Sequence, residues 1–251
     1  MPFHLAVYSA SIASAAANVQ LAAITDPVIA PSALGYLVPP TINQVIRVLP
    51  VGNLLNRCQL NSASIRDYTP FDMNPVNVGT LFESPVREPW LLDNPIPLRT
   101  NEELDVFVTN SAATATQTSV GVIFSDGTPT QFKGRMFSVH WTAAVTLTAN
   151  AFTAFTPVLD NGIPSGTFAL VGLRARSAGA LYARVVPRGG APYRPGTTAI
   201  QGYDGAQNWQ DRYGHMGVWL SFTNTTLPQV EMFSLSADAA QDGFLDLVQT
   251  A

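Results

Sequence analysis

The chain has 251 residues, 47% of them hydrophobic and only 12% charged, with a formal net charge of −4 at pH 7. That balance excludes intrinsic disorder, which needs low hydrophobicity and high net charge. The lone cysteine, Cys58, excludes an internal disulfide and any cysteine-cluster metal site.

Residues 1–16 read as an N-terminal arm, with the small-residue run Ser9-Ala-Ser-Ile-Ala-Ser-Ala-Ala-Ala open to a short helix or to ordering by a partner. The start, Met1-Pro-Phe-His-Leu-Ala-Val-Tyr, has neither the basic stretch nor the long apolar run of a secretion signal, so synthesis in the cytoplasm is expected. Ala17–Thr25 then alternates Val19, Leu21 and Ala23 with polar or small neighbours, which predicts a strand broken at Asp26-Pro27. Ile42–Val51 is β-branched and apolar, Gly52-Asn53 is a turn, and Asn56–Arg66 is the returning strand carrying Cys58 as a small buried hydrophobe. Asp67–Thr100 follows as an irregular stretch whose six prolines have no place in the middle of a sheet. Leu104–Thr109 and Ser119–Phe124 are two further strands.

The second half has the same rhythm. Trp141–Thr148 predicts a strand, Phe155–Ser165 a turn region, and Phe168–Arg176 and Leu181–Val186 a strand pair across Ser177-Ala-Gly. Pro187–Tyr213 is irregular, with a helical turn placed at Gln207–Tyr213. Met216–Phe222, Val230–Ser236 and Phe244–Gln249 finish the chain as strands. No segment shows a sustained helical stripe.

The halves resemble each other at a displacement of about 126 residues. Val19-Gln-Leu-Ala answers to Val145-Thr-Leu-Thr, Ile42-Asn-Gln-Val to Phe168-Ala-Leu-Val, Leu104-Asp-Val-Phe to Val230-Glu-Met-Phe, and Val122 to Val248. One such match is within chance; four in order without a net gap mark a repeat. An even displacement keeps inward residues matched to inward residues, because strand side chains alternate. The expected fold is all-β: two tandem eight-stranded antiparallel jelly-roll barrels, residues 17–127 and 128–251. Tight strand pairs around a long central excursion fit a jelly roll better than an immunoglobulin-type sandwich, whose seven strands are joined by short turns.

Catalytic and metal chemistry find no constellation. His4, His140 and His215 are the three histidines, and none is paired at metal-ligand spacing. Ser165 in Gly162-Ile-Pro-Ser-Gly is not a nucleophile elbow. Glu102 and Glu103 are neighbours, so on a strand they face opposite ways. Asp238, Asp242 and Asp246 lack the glycine pattern of a calcium loop and read as a solvated tip. Gly189-Gly190 lacks the lysine and helix of a phosphate cradle, and Asn224-Thr-Thr is a glycosylation acceptor without a secretion signal to use it. Twelve of the 13 basic residues are arginine. Arg174, Arg176, Arg184 and Arg188 come nearest to a basic cluster, but alternate spacing puts Arg174 and Arg176 on one solvated strand face, and no specific nucleic-acid binding is expected. No enzyme activity, cofactor or metal is expected. Trp90, Tyr193, Trp209, Tyr213 and Trp219 fall in or next to the two irregular stretches and are the candidate site residues, as loop cores, subunit contacts or sugar platforms.

Two tandem jelly rolls, long loops at matching positions and scarce charge resemble the double jelly-roll major capsid proteins of tailless icosahedral viruses, the lineage of adenovirus hexons and several membrane-containing bacteriophages. The residues that carry the likeness are the paired strands quoted above, and the chain is short for that family. The resemblance implies a homotrimer whose six barrels outline a hexagon, contacts with neighbouring capsomers, a separate vertex protein and a place in the virion shell. It also implies an inward-facing arm able to touch an internal membrane. A carbohydrate-binding or adhesive β-sandwich, such as a virion spike or lectin-like module, is the alternative, motivated by the loop aromatics.

Overall fold

The computed structural model describes residues 3–33, 35–52, 54–66, 71–73, 94–127, 130–189, 192–199 and 216–251. They form two compact units, Leu5–Gly127 and Thr128–Ala251, the latter together with Met1–His4.

The first unit contains β1 (Phe3–Ile12), β2 (Val19–Gln20), β3 (Ala22–Ala23), β4 (Tyr36–Leu37), β5 (Gln44–Gly52) and β6 (Leu55–Asn61). After the helical turn α1 (Ala63–Arg66) come β7 (Phe71–Met73), β8 (Ile96–Pro97), β9 (Glu103–Asn110) and β10 (Thr116–Ser125). One sheet runs β3-β1-β10-β5-β8 and the other β2-β9-β6-β7, with β4 also on β9. Setting β3 and β4 aside, eight strands remain. Counted along the chain they lie as first-eighth-third-sixth in one sheet and second-seventh-fourth-fifth in the other. That order is the jelly roll.

The second unit contains β11 (Met136–Ala143), β12 (Ala151–Phe155), β13 (Val158–Leu159), β14 (Thr167–Arg176) and β15 (Ala180–Val186). It continues with β16 (Gly196–Thr198), β17 (Leu220–Thr223), β18 (Gln229–Ser234) and β19 (Gln241–Gln249). Its sheets run β13-β11-β19-β14-β17 and β12-β18-β15-β16. With β13 set aside, the order is again first-eighth-third-sixth and second-seventh-fourth-fifth. The expected pair of jelly rolls is what the chain forms.

The likeness extends to irregularities. On β5, Ile46 is an extra residue between the partners of Ile123 and Phe124; on β14, Val171 is extra between the partners of Asp246 and Leu247. On β6 the extra residue is Asn56, and on β15 it is Leu181. Both bulge pairs are 125 residues apart. Bulges bend and twist a strand at a chosen point, so matching bulges give matching curvature. Each second strand also starts immediately after an asparagine in the left-handed region, Asn18 (φ 53°) and Asn150 (φ 57°), a conformation that asparagine tolerates better than most residues.

Burial explains why these sequences form strands. Along β9, Leu104, Val106, Val108 and Asn110 are buried while Glu103, Asp105, Phe107 and Thr109 are exposed or half-buried, the period-two pattern of a one-sided sheet. On β6 the bulge interrupts that alternation, leaving Asn56 and Arg57 both exposed before Cys58 turns inward.

Several expectations need correction. Most of the expected arm is not one: Phe3–Ile12 is strand β1, between β3 and β10, and every residue from Phe3 to Ser9 is buried. An apolar run without alternation is the mark of a strand buried on both faces. Tyr8 anchors it, its hydroxyl donating to the Leu104 carbonyl at 2.6 Å and its ring 4.9 Å from that of Tyr36. Burial, with the Tyr36 hydroxyl and Asp105 nearby, pushes the Tyr8 phenol well above its ordinary pKa.

Ala17–Thr25 is not one strand. Val19–Gln20 pairs with β9 and Ala22–Ala23 with β1, so the chain changes sheets at the fully buried Leu21. Asn56–Arg66 stops as a strand at Asn61, where the Ser62 hydroxyl accepts the Ile65 amide and starts α1. The strand expected at Trp141–Thr148 is Met136–Ala143, and the turn region expected at Phe155–Ser165 begins as the end of β12 and contains β13. The uniform displacement fails accordingly: Val19 is in β2, whereas Val145 lies between β11 and β12. Connections of unequal length cause the slip, since residues 24–43 join β3 to β5 but only 160–166 join β13 to β14. The helical turn expected at Gln207–Tyr213 lies outside the described residues.

Trp141 is the largest fully buried side chain among the described residues, and its strand partner on β19 is Gly243. A Cβ at Gly243 would lie 2.7 Å from the Trp141 ring and 2.0 Å from the Arg174 carbonyl, so the indole occupies the space that the glycine leaves. Trp141→Ala is expected to cost the second unit about 3–5 kcal/mol, the usual range for emptying a core aromatic site, and Gly243→Val to destabilise it through overpacking. Denaturant unfolding followed by tryptophan fluorescence and circular dichroism checks both.

Candidate assembly surface and end pocket

Of the five aromatic candidates, Trp90, Trp209 and Tyr213 lie outside the described residues, as does His215. Trp219 is an internal residue. It is buried just before β17, its amide donates to the Leu170 carbonyl at 2.8 Å, and its ring meets Phe3 edge-on at 5.5 Å. Tyr193 is half-buried shortly before β16. The described candidates therefore do not converge on one site.

Charge converges instead on the outward face of β11, β19 and β14. In register across these strands stand Ser138 and Asp246, then His140, Phe244 and Arg174, then Thr142, Asp242 and Arg176. Arg174 donates to Asp246 at 2.8 Å and to the Ser138 hydroxyl at 2.9 Å, with its guanidinium 4.2 Å above the Phe244 ring. Arg176 grips both oxygens of Asp242. His140 pairs through Nδ1 with Asp160 at 2.5 Å and packs against Phe244. Alternate spacing placed Arg174 and Arg176 on one face correctly. The solvated-tip reading of Asp246 is overturned: the residue is fully buried, because Arg174 and Ser138 close over it.

The other sheet of this unit carries a buried ionic cluster that the sequence did not reveal. Arg184 on β15 donates through Nε to Glu231 on β18 at 2.7 Å, with side-chain exposures of 1% and 8%. Arg194 donates to the other Glu231 oxygen, and the Arg184 guanidinium lies 3.6 Å from the Phe152 ring centre. The Arg194 amide donates to Nδ1 of His4 at 3.0 Å. His4, expected in an arm, is thus a buried strand residue.

At one end of the second unit, three segments border an open pocket of about 470 Å³. They are the chain after β11, the β14–β15 turn and the approach to β19. Asp238 ties two of them together, accepting from the Ser177 hydroxyl at 2.5 Å and the Ala178 amide at 2.8 Å. Burial alone would raise its pKa, but those bonds, with further help from the Ala240 and Ala239 amides, hold the carboxyl below its ordinary value. Gly179 is required in the same turn, since a Cβ there would lie 2.5 Å from the Ser236 hydroxyl.

Among the described residues, no group of three or more histidine, cysteine, aspartate or glutamate side chains is placed to hold a metal ion. No described helix is long and apolar enough to cross a membrane. No protein-family model matches the chain, and no curated protein does. Among solved structures the chain is similar to the major capsid protein P2 from bacteriophage PM2, at 10% identity over 98% of each chain, with a TM-score of 0.23. At so low a score the fold rests on the strand order itself, and the strand order is that of two jelly rolls.

Two outcomes follow from the charges. Glu231→Ala removes the buried carboxylate that Arg184 and Arg194 share, and a loss of about 3–5 kcal/mol is expected in denaturant titration. The folded pKa of Asp238 is depressed, so its stabilisation is complete above the unfolded value of about 3.8 and disappears as pH falls through the folded value. The stability gap between the native chain and Asp238→Ala should therefore be widest near neutrality and narrow in acid, as thermal melts across a pH series would record.

Proposed function

We propose that the chain is a major capsid protein, a structural subunit without catalytic activity. Three copies form a trimer of pseudo-hexagonal outline, and such trimers tile an icosahedral shell beside a separate vertex protein. The observation that carries this reading is the duplication: both units share one strand order and the same two bulges. A threefold ring of such subunits has six similar sides, which is what a hexagonal lattice requires of its building block. Scarce charge supports the same reading, because contacts between copies then bury few ions that must be stripped of water.

The subunit belongs to the virion and is made in the host cytoplasm. No membrane contact is proposed through residues 3–12, since all of them but Ala10 and Ser11 are buried in β1.

Light scattering on the purified chain in native-like buffer is expected to give three times the 26.8 kDa of one copy, and negative-stain images of the source particle to show hexagonal blocks. A stable monomer that never assembles would overturn the proposal.

A further inference from the structure

The connection from β13 to β14 holds a reactive dipeptide. Asn161-Gly162 is the one Asn-Gly pair in the chain, and both residues are exposed. The connection is fastened only at its ends. Before it, the Asp160 amide donates to the His140 carbonyl at 3.1 Å and the Asp160 carboxylate meets His140 Nδ1 at 2.5 Å. After it, the Thr167 amide donates to the Ala251 carbonyl at 2.8 Å. Between these anchors, residues 161–165 make no hydrogen bond to any described residue. The Gly162 nitrogen is therefore not held by an acceptor, and no Cβ shields it.

We propose that Asn161 is a site of spontaneous conversion to isoaspartate and aspartate. The Gly162 backbone nitrogen attacks Cγ of the Asn161 side chain. The new C–N bond closes a five-membered succinimide, the Cγ–Nδ2 bond breaks, and Nδ2 leaves as ammonia with the Gly162 amide proton. Solvent water then opens the ring at either carbonyl. One opening gives aspartate; the other reroutes the backbone through Cβ and gives isoaspartate. Each event adds one negative charge to a chain whose formal net charge is −4, in the residue next to Asp160.

Three other asparagines show what the reaction lacks elsewhere. Asn110 is buried, its Oδ1 accepts the Ala16 amide at 2.9 Å, and its Nδ2 donates to the Thr116 hydroxyl at 3.3 Å. The nitrogen that would attack it, the Ser111 amide, donates to the Leu54 carbonyl at 3.0 Å. Asn94 precedes a proline, which has no amide proton to give. Asn224 is exposed in a turn, but the β-branched Thr225 that follows crowds the attacking nitrogen.

The fold does not require the glycine. A Cβ at Gly162 would meet nothing within 4 Å, and its φ lies outside the left-handed region. Gly162→Ala therefore separates reactivity from stability: the methyl hinders ring closure without disturbing the packing.

The inference goes beyond the capsid reading and does not depend on it, because it concerns one connection of a single chain. The test is to age the purified full chain in mildly alkaline buffer, folded and in parallel in guanidinium chloride. Peptide mapping by mass spectrometry locates the conversion, and methyl transfer by an isoaspartyl methyltransferase measures it independently. Asn161 is expected to convert first, at a folded-state rate within about tenfold of the denatured one, whereas Asn110 converts only in denaturant. Gly162→Ala should slow conversion by about tenfold or more and leave the unfolding midpoint unchanged. Asn161 left intact in the folded chain after converting in denaturant, another asparagine overtaking it, or Gly162→Ala converting at the native rate would each overturn the proposal. None of these results bears on the capsid reading, which rests on the assembly state.

Discussion

Each unit depends on one long-range pairing: its last strand returns to lie between its first and its third. β10 sits between β1 and β5, and β19 between β11 and β14. Most of each unit's chain must be threaded before this pairing forms, so loop-closure entropy opposes it until the sheet interior is gained. The gain is correspondingly concentrated there. β10 is buried from Thr118 to Ser125, and β19 places Leu245, Leu247 and Val248 in the interior. Gly243 belongs to the same closing strand, and by lacking a side chain it leaves room for the Trp141 ring against it. The bulges on β5 and β14 lie on partners of the closing strands, where added twist helps a flat ribbon curl into a barrel.

The strands legible in the sequence are those with local signals. β5 and β6 flank Gly52-Asn53, β14 and β15 flank Ser177-Ala-Gly, and β9 and β18 alternate or bury apolar residues over six positions or more. Those signals sufficed for the fold class. What escaped is decided by partners distant in sequence. Val19–Gln20 and Ala22–Ala23 look like one strand because nothing local says that they join different sheets. β8 and β16, two and three residues long, carry no periodicity and exist only because β5 and β15 pair with them. β1 gives no strand signal because a strand buried on both faces has no alternation to find.

The same division holds for the charged groups. The two-residue spacing of Arg174 and Arg176 reports their shared face, since strand geometry alone dictates it. The burial of Asp246 does not, because it depends on Ser138 and Arg174 arriving from the strands on either side. Arg184, Glu231 and Arg194 sit on three separate segments, and their convergence required the sheet register. The end pocket belongs to this class too. Its bordering segments lie roughly a hundred residues apart at the extremes, and only closure of the barrel brings them together.

These ion pairs also bear on how so lightly charged a chain meets copies of itself. Soluble domains normally keep charge on the surface, where it repels neighbouring copies and holds water. Here several charges are turned towards one another instead: Arg174 with Asp246, Arg176 with Asp242, and Arg184 and Arg194 with Glu231. An internal pair contributes little to net charge and little to repulsion between copies. With only 12% of residues charged to begin with, the remaining surface opposes self-association weakly. For a free monomer that is a liability. For a subunit whose sides are covered by copies of itself it removes the main electrostatic cost of assembly, and the proposed shell is the setting in which this composition makes physical sense.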